Sequence, residues 1–218
     1  MSITVQIATL PDREVMLWQT VKSLYQQADA FYIMLNGHKE EPRIPDPSDK
    51  IRYVKLRNER MDGAKFYDAE YREGYIFTMD DDLAVQDGYI SLLKSKVDKY
   101  QGAVSLHGKI YPRPPVDFRR AKTVYRCLGT VDRDTRIDLI GTGCMAYHTD
   151  LIKVKYDDFP IGGMADVWYS KLAWAQKVPL WVIAHKTGYL SYLYPTSTIW
   201  QTMGHATKQT ELIKSFIK

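Results

Sequence analysis

Three consecutive carboxylates, Asp80, Asp81 and Asp82, follow the apolar run Tyr75 to Met79. The run is short, β-prone and preceded by Gly74, which predicts a buried strand. A buried strand cannot end in three unpaired negative charges, because each desolvated carboxylate costs several kcal/mol or takes up a proton. A hard divalent cation held by oxygen ligands, with phosphates completing its shell, resolves that conflict. Side chains alternate along a strand, so Asp80 and Asp82 address the same side and are the candidate metal ligands. The competing reading is a helix N-cap with spare acids, although a cap uses one Asp and not three.

The elements that must position these acids alternate strand and helix. Ile3 to Ala8 reads as a strand, and Pro11 then opens a helix carrying Val15, Trp18, Val21 and Leu24. Phe31 to Leu35 and Ile51 to Leu56 are further strands, with a turn signal at Asn36-Gly37 and a proline-bearing loop between them. Residues 62 to 73 are expected to be helical, and a helix opened by Asp87-Gly88 presents Tyr89, Leu92, Leu93, Val97 and Tyr100. Ala103 to Leu106, Cys144 to His148 and Leu180 to Ala184 are later strands, and a helix follows Gly162-Gly163. Such alternation predicts an α/β sandwich with a mostly parallel sheet, whose ligands sit beyond the carboxyl ends of the strands.

Composition sets the bounds. The 218 residues suit a single domain with a proper core, 45% hydrophobic and 26% charged, as expected of a soluble globular chain. Cys127 and Cys144 sit in no metal-ligand spacing and suggest a reducing compartment. The N-terminus lacks the pattern of a signal peptide, and no stretch reaches membrane-spanning length, so a cytoplasmic location is expected. The formal charge of +4 is compatible with an anionic substrate.

The acidic triplet resembles the D-x-D signature of nucleotide-sugar glycosyltransferases of the GT-A fold. The opening Ile7-Ala8-Thr9-Leu10-Pro11-Asp12-Arg13 resembles the first strand and loop of family-2-like members, where base and ribose dock. Asn58 to Lys65 sits where that family places a second nucleotide-contacting segment. The downstream half is similar to the small bacterial capsule N-acetylglucosaminyltransferases of heparosan type. The matching stretches are Gly63-Ala64-Lys65-Phe66, Leu106-His107-Gly108-Lys109-Ile110-Tyr111, Gly141-Thr142-Gly143 and Ala165-Asp166-Val167-Trp168-Tyr169-Ser170. The resemblance runs from the first strand to about residue 190, and departs from the family in a more basic stretch over 109–136.

This resemblance implies a GT-A type, Rossmann-like α/β/α sandwich, with residues 1–105 as the nucleotide-binding half and 106–218 as the acceptor-binding half. It implies a nucleoside diphosphate sugar donor, a UDP-sugar by class, and a Mn2+ or Mg2+ ion. Donor contacts fall on Ala8, Thr9, Arg13, Asp62, Lys65, Asp80, Asp81, His107, Gly141, Thr142 and Gly143. Asp166 matches the carboxylate that meets the acceptor, and His185, or else His205, the late histidine that completes the metal site. Each has a plainer reading beside it. Gly141-Thr142-Gly143 is also a tight turn, Asp166 a helix cap, and His107 and His185 strand-end histidines.

The stretch 109–126 carries six bases against one acid, with Tyr111, Phe118 and Tyr125 interleaved. That pattern suits an anionic polymer, and aromatic rings between bases suit stacking. The acceptor is then a glycan or other hydroxyl compound, with modified DNA bases as a variant. A nucleotidyltransferase would share the paired acids, but the glycine-poor Thr9–Arg13 stretch replaces its phosphate loop. A non-catalytic nucleic-acid binder leaves the aspartates without purpose.

Overall fold

The structure is a computed structural model that describes residues 2–194 and 206–218. In chain order, β1 (Ile3–Thr9), α1 (Glu14–Leu24), β2 (Ala30–Asn36), β3 (Ile51–Leu56) and β4 (Tyr75–Asp80) form the first half. The short β5 (Leu83–Val85) and α2 (Tyr89–Tyr100) complete it. Then come β6 (Ala103–Ser105), β7 (Gly108–Ile110), β8 (Thr123–Tyr125), β9 (Thr135–Arg136), β10 (Leu139–Ile140) and β11 (Cys144–His148). The chain closes with α3 (Ala165–Ala175), β12 (Leu180–Val182), β13 (Leu190–Tyr192) and α4 (Ala206–Phe216).

Eight strands make one sheet in the order β3-β2-β1-β4-β11-β6-β12-β9, in which only β11 and β9 run against the rest. Both faces are covered, because alternate residues of each strand face opposite layers. Tyr75, Phe77 and Met79 of β4 join Leu17, Val21 and Leu24 of α1 and Leu93 and Val97 of α2 on one side. Ile76 joins Tyr147 of β11 and Tyr169 and Ala173 of α3 on the other. The architecture is the expected α/β sandwich, and its central parallel pair, β1 and β4, ends beside the acidic triplet.

Three local expectations change. Residues 62–73 are not an α-helix but two 3-10 turns, Met61–Phe66 and Ala69–Tyr71. Asp68 between them adopts a left-handed backbone (φ 58°), which no continuing helix accepts. Lys65 and Phe66 are both drawn inside, Phe66 stacking on Phe159 with ring centroids 4.1 Å apart. In α1, the 3-10 turn Pro11–Arg13 resets the helix phase, so Leu17 and Thr20 are buried while Val15 is 71% exposed.

The basic stretch differs most. Its ends pair as β7 and β8, and Tyr111 and Phe118 are buried with Ile213 of α4 and Ile217 just after it. Tyr111 donates its hydroxyl to the Phe118 carbonyl at 2.8 Å. Neither ring is a stacking platform. Lys109 is half-buried, and Arg113 grips Asp138 with both guanidinium nitrogens, at 3.0 and 2.7 Å. The segment is therefore packed as a wall beneath the C-terminal helix. Among the described residues no helix is long and apolar enough to cross a membrane.

Candidate active site

A cavity of about 510 Å³ opens beyond the carboxyl ends of β1, β2 and β4, within the size range of small-molecule sites. Ala8, Thr9 and Arg13 line one end, the three aspartates its floor, and Thr142 and Asp166 the far wall. Every donor-contact residue expected from sequence lines this cavity, as does Asp166.

The acids at the floor have separate partners. Asp81 is buried, and Arg13 Nη1 donates to its Oδ1 at 2.7 Å. Thr20 of α1 fixes the same residue by donating to its carbonyl at 3.0 Å. Burial pushes the Asp81 carboxyl up, and Arg13 pulls it back. Asp80 is half-exposed to the cavity, and the buried Lys65 ammonium donates to its Oδ1. Burial works against the Lys65 charge, but Asp80 and Asp62 outweigh it and keep the ammonium protonated.

Asp82 is left with the surplus charge. Its carboxylate is 13% exposed and 3.6 Å from Arg13, which is already committed to Asp81. Burial, then repulsion from Asp80 and Asp81, pushes its carboxyl up to about 7. Three carboxylates thus face two bases, the imbalance that a cation would cancel.

Gly143 and Gly141 both line the cavity and both stand against side chains of the site. A Cβ on Gly143 would overlap the Asp80 carboxylate, and one on Gly141 would come within 2.8 Å of the His107 ring. Gly143 also accepts the Asp80 N–H at 2.9 Å. The strand opposite β4 is thus shaped around the acid. Gly143→Ala is expected to displace Asp80 from Lys65 and destabilise the fold. In an Asp80→Ala background the added methyl has room, so denaturant unfolding of the double-mutant cycle should give a coupling of about 1–2 kcal/mol.

Asp166 lies in the first turn of α3 and its Oδ1 accepts from both the N–H and the hydroxyl of Thr142, each at 2.7 Å. Its position therefore locks the 141–143 turn to the helix. Asp62 serves that helix from far along the chain: it accepts from Gly163 N–H at 2.6 Å and Ala165 N–H at 3.1 Å. Burial, and the neighbouring Asp166 charge, push the Asp62 carboxyl up to about 6 against the pull of Lys65. Asp62 is thus a brace for the wall as well as a lining residue. Asp62→Ala leaves two buried N–H groups unpaired, and chemical denaturation should show a loss of about 1–3 kcal/mol.

The structure does not bring His185 to the aspartates. Its Nδ1 is 2.7 Å from the Ile183 carbonyl and its Nε2 3.3 Å from that of Arg126, so the ring ties β12 to the turn after β8. His205 lies outside the described residues. Among the described residues no three His, Cys, Asp or Glu side chains converge to hold a metal. Asp80 and Asp82 would offer carboxylate oxygens, the donor type a hard cation takes, and its other ligands would have to come from a substrate's phosphates and from water.

Several lining residues escaped sequence reading. Asn36 ends β2 in the cavity, donating to the Met61 carbonyl at 2.9 Å, although Asn36-Gly37 reads only as a turn. Lys109 faces Asp166, and burial lowers its affinity for a proton while Asp166 raises it. Gln209 reaches the cavity from α4 and Tyr192 from β13. Both cysteines are in the wall, and the Cys144 thiol and the His107 ring pull the Cys127 thiol down.

No protein-family model matches the sequence, and no curated protein matches it. The coordinates match the structure of S. aureus TarS residues 1–349 in complex with UDP-GlcNAc, with a TM-score of 0.65 at 11% identity. The match covers 98% of this chain, which spans 65% of the TarS chain. At that identity the likeness concerns the fold alone: the chain shares with TarS a mixed α/β, Rossmann-like architecture.

Proposed function

We propose that the chain is a glycosyltransferase that takes a UDP-sugar and passes the sugar to a hydroxyl of a glycan acceptor. The observation that carries the reading is the acid-floored cavity at the ends of β1 and β4, in a fold shared with a protein whose structure holds UDP-GlcNAc. Residues 1–105 serve the nucleotide and residues 106–218 the acceptor, within one domain.

The chain's own residues divide the work. The ends of β1 and β2 face the nucleoside, where Thr9 and Asn36 offer hydrogen bonds. Arg13 holds Asp81 in place, and Lys65 holds Asp80. Asp80 and Asp82 would hold a Mg2+ or Mn2+ ion, which when bound neutralises charge on the leaving diphosphate. Lys109 adds a positive group on the acceptor side of the cavity. Asp166, anchored through one oxygen, meets the acceptor hydroxyl. In an inverting transfer it accepts that hydroxyl's proton. In a retaining transfer it orients the hydroxyl.

A screen of nucleotide-sugar donors, with anomeric analysis of the product, tests this reading. Release of UDP from a UDP-sugar is expected. Release of pyrophosphate from a nucleoside triphosphate would make the chain a nucleotidyltransferase instead.

A further inference from the structure

The basic stretch over 109–136 contributes two arginines, Arg113 and Arg136, for which the transfer has no use. Both line a second cavity of about 500 Å³, outside the acid-floored one, together with Lys177, Asp138 and Trp174. The run Val178 to Leu180 gives this cavity an apolar floor. Trp174 stands in the last turn of α3, and its Nε1 donates to the Asp138 carbonyl at 3.0 Å. Phe216 of α4 packs against the indole with ring centroids 6.0 Å apart. The ring is thus held in one orientation, yet Trp174 remains 38% exposed.

Charge in this cavity is unbalanced. Asp138 accepts from both Arg113 nitrogens, and from the Tyr111 N–H at 2.7 Å, so its carboxylate is fully occupied. Among the described residues, neither the exposed Arg136 guanidinium nor the exposed Lys177 ammonium has an acidic partner. Three bases therefore face one acid. Lys177 also takes a left-handed backbone (φ 59°), where glycine is the easier residue, so the rim carries this ammonium at a conformational cost.

We propose that this second cavity binds an acidic glycan, a chain of sugars bearing carboxylates or phosphates. The bases take the anionic groups, while the indole and the apolar floor take the C–H faces of the sugar rings. A single-stranded nucleic acid would stack on several open rings along its track. Among the described residues Trp174 is the one ring that lines this cavity, and Tyr111 and Phe118 are buried elsewhere. The same helix serves both cavities. Asp166 begins α3 at the first, and Trp174 ends it at the second, about 12 Å further along the axis. An acceptor whose terminal hydroxyl meets Asp166 can therefore lay its preceding sugars against Trp174. That consequence rests on the proposed function; the binding itself does not.

The test uses the full chain without donor. Oligogalacturonate hexasaccharide, a phosphomannan oligosaccharide, uncharged maltohexaose and a single-stranded DNA hexanucleotide are each titrated by calorimetry. At least one of the two acidic glycans should bind about tenfold tighter than maltohexaose and weaken with added salt. Arg136→Gln combined with Lys177→Gln, both on exposed side chains, should weaken that binding by about tenfold and leave UDP affinity unchanged. Trp174→Ala should weaken it as well, and Trp174→Phe, which keeps a ring, should weaken it less. Maltohexaose bound as tightly as both acidic glycans, or full affinity in the double variant, would overturn the site. DNA bound more tightly than either glycan, and lost in the double variant, would overturn the choice of ligand. In transfer assays the double variant should raise KM for a long acidic acceptor with kcat unchanged. Acidic glycan bound at this site by a chain that transfers no sugar would uphold the site and sink the proposed function.

Discussion

Asp82→Asn is expected to lower sugar transfer by about 10²–10³-fold while leaving the chelated protein at least as stable as wild type at about pH 8. The two effects have one cause. Asp82 carries the charge that the site does not neutralise, since Arg13 is spent on Asp81 and Lys65 on Asp80. Its carboxyl is pushed up to about 7 by burial and by its two acidic neighbours. The unfolded chain releases that proton near the ordinary carboxylate range, so the folded state binds more protons between the two values. Stability from this group is thus fully present at acid pH and is lost as pH rises toward and through about 7. Asparagine has no charge to repel, so the variant gains relative to wild type at alkaline pH, by a few kcal/mol at most. The gain should shrink on acidification and vanish below about pH 4. Thermal melts in chelator across that range, beside turnover of the donor, check both halves. An Asp82→Asn variant that keeps its transfer rate contradicts the assignment.

Asp166→Asn should cut kcat by about 10²–10⁴-fold with UDP affinity within a few-fold of wild type. An asparagine oxygen can still accept from the Thr142 N–H and hydroxyl, so the 141–143 turn stays in place. Only the charge is removed. Asp166→Ala removes the anchor as well and should also lose stability. Steady-state kinetics with calorimetric UDP binding distinguish the roles. A variant that loses UDP affinity in parallel with kcat would make Asp166 a donor residue, and unchanged kcat would remove it from the reaction.

The main strands and the position of the acids were legible in the sequence because those strands carry short runs that end in a polar or glycine signal. Tyr75 to Met79 and Phe31 to Leu35 are such runs. Local pattern failed where long-range partners decide the backbone. Residues 62–73 have helical composition, but Lys65 must reach Asp80 and Asp62 must reach Ala165, which a regular helix in that place does not allow. The basic stretch misled for a similar reason: Tyr111 and Phe118 look like stacking rings until α4 covers them. His185 carries no sequence mark separating a ligand from a ring held by two carbonyls. The glycines of 141–143 were legible as necessary, while what they approach was not; they make room for Asp80 and His107.

Crystals of the chain grown with UDP and Mn2+ and measured at the manganese absorption edge provide the most direct measurement. The account predicts an anomalous peak contacted by the Asp80 and Asp82 carboxylates and by both phosphates of UDP, with the uridine toward β1 and β2. A diphosphate bound elsewhere on the molecule, or seated in the cavity with no peak at those two side chains, would contradict it.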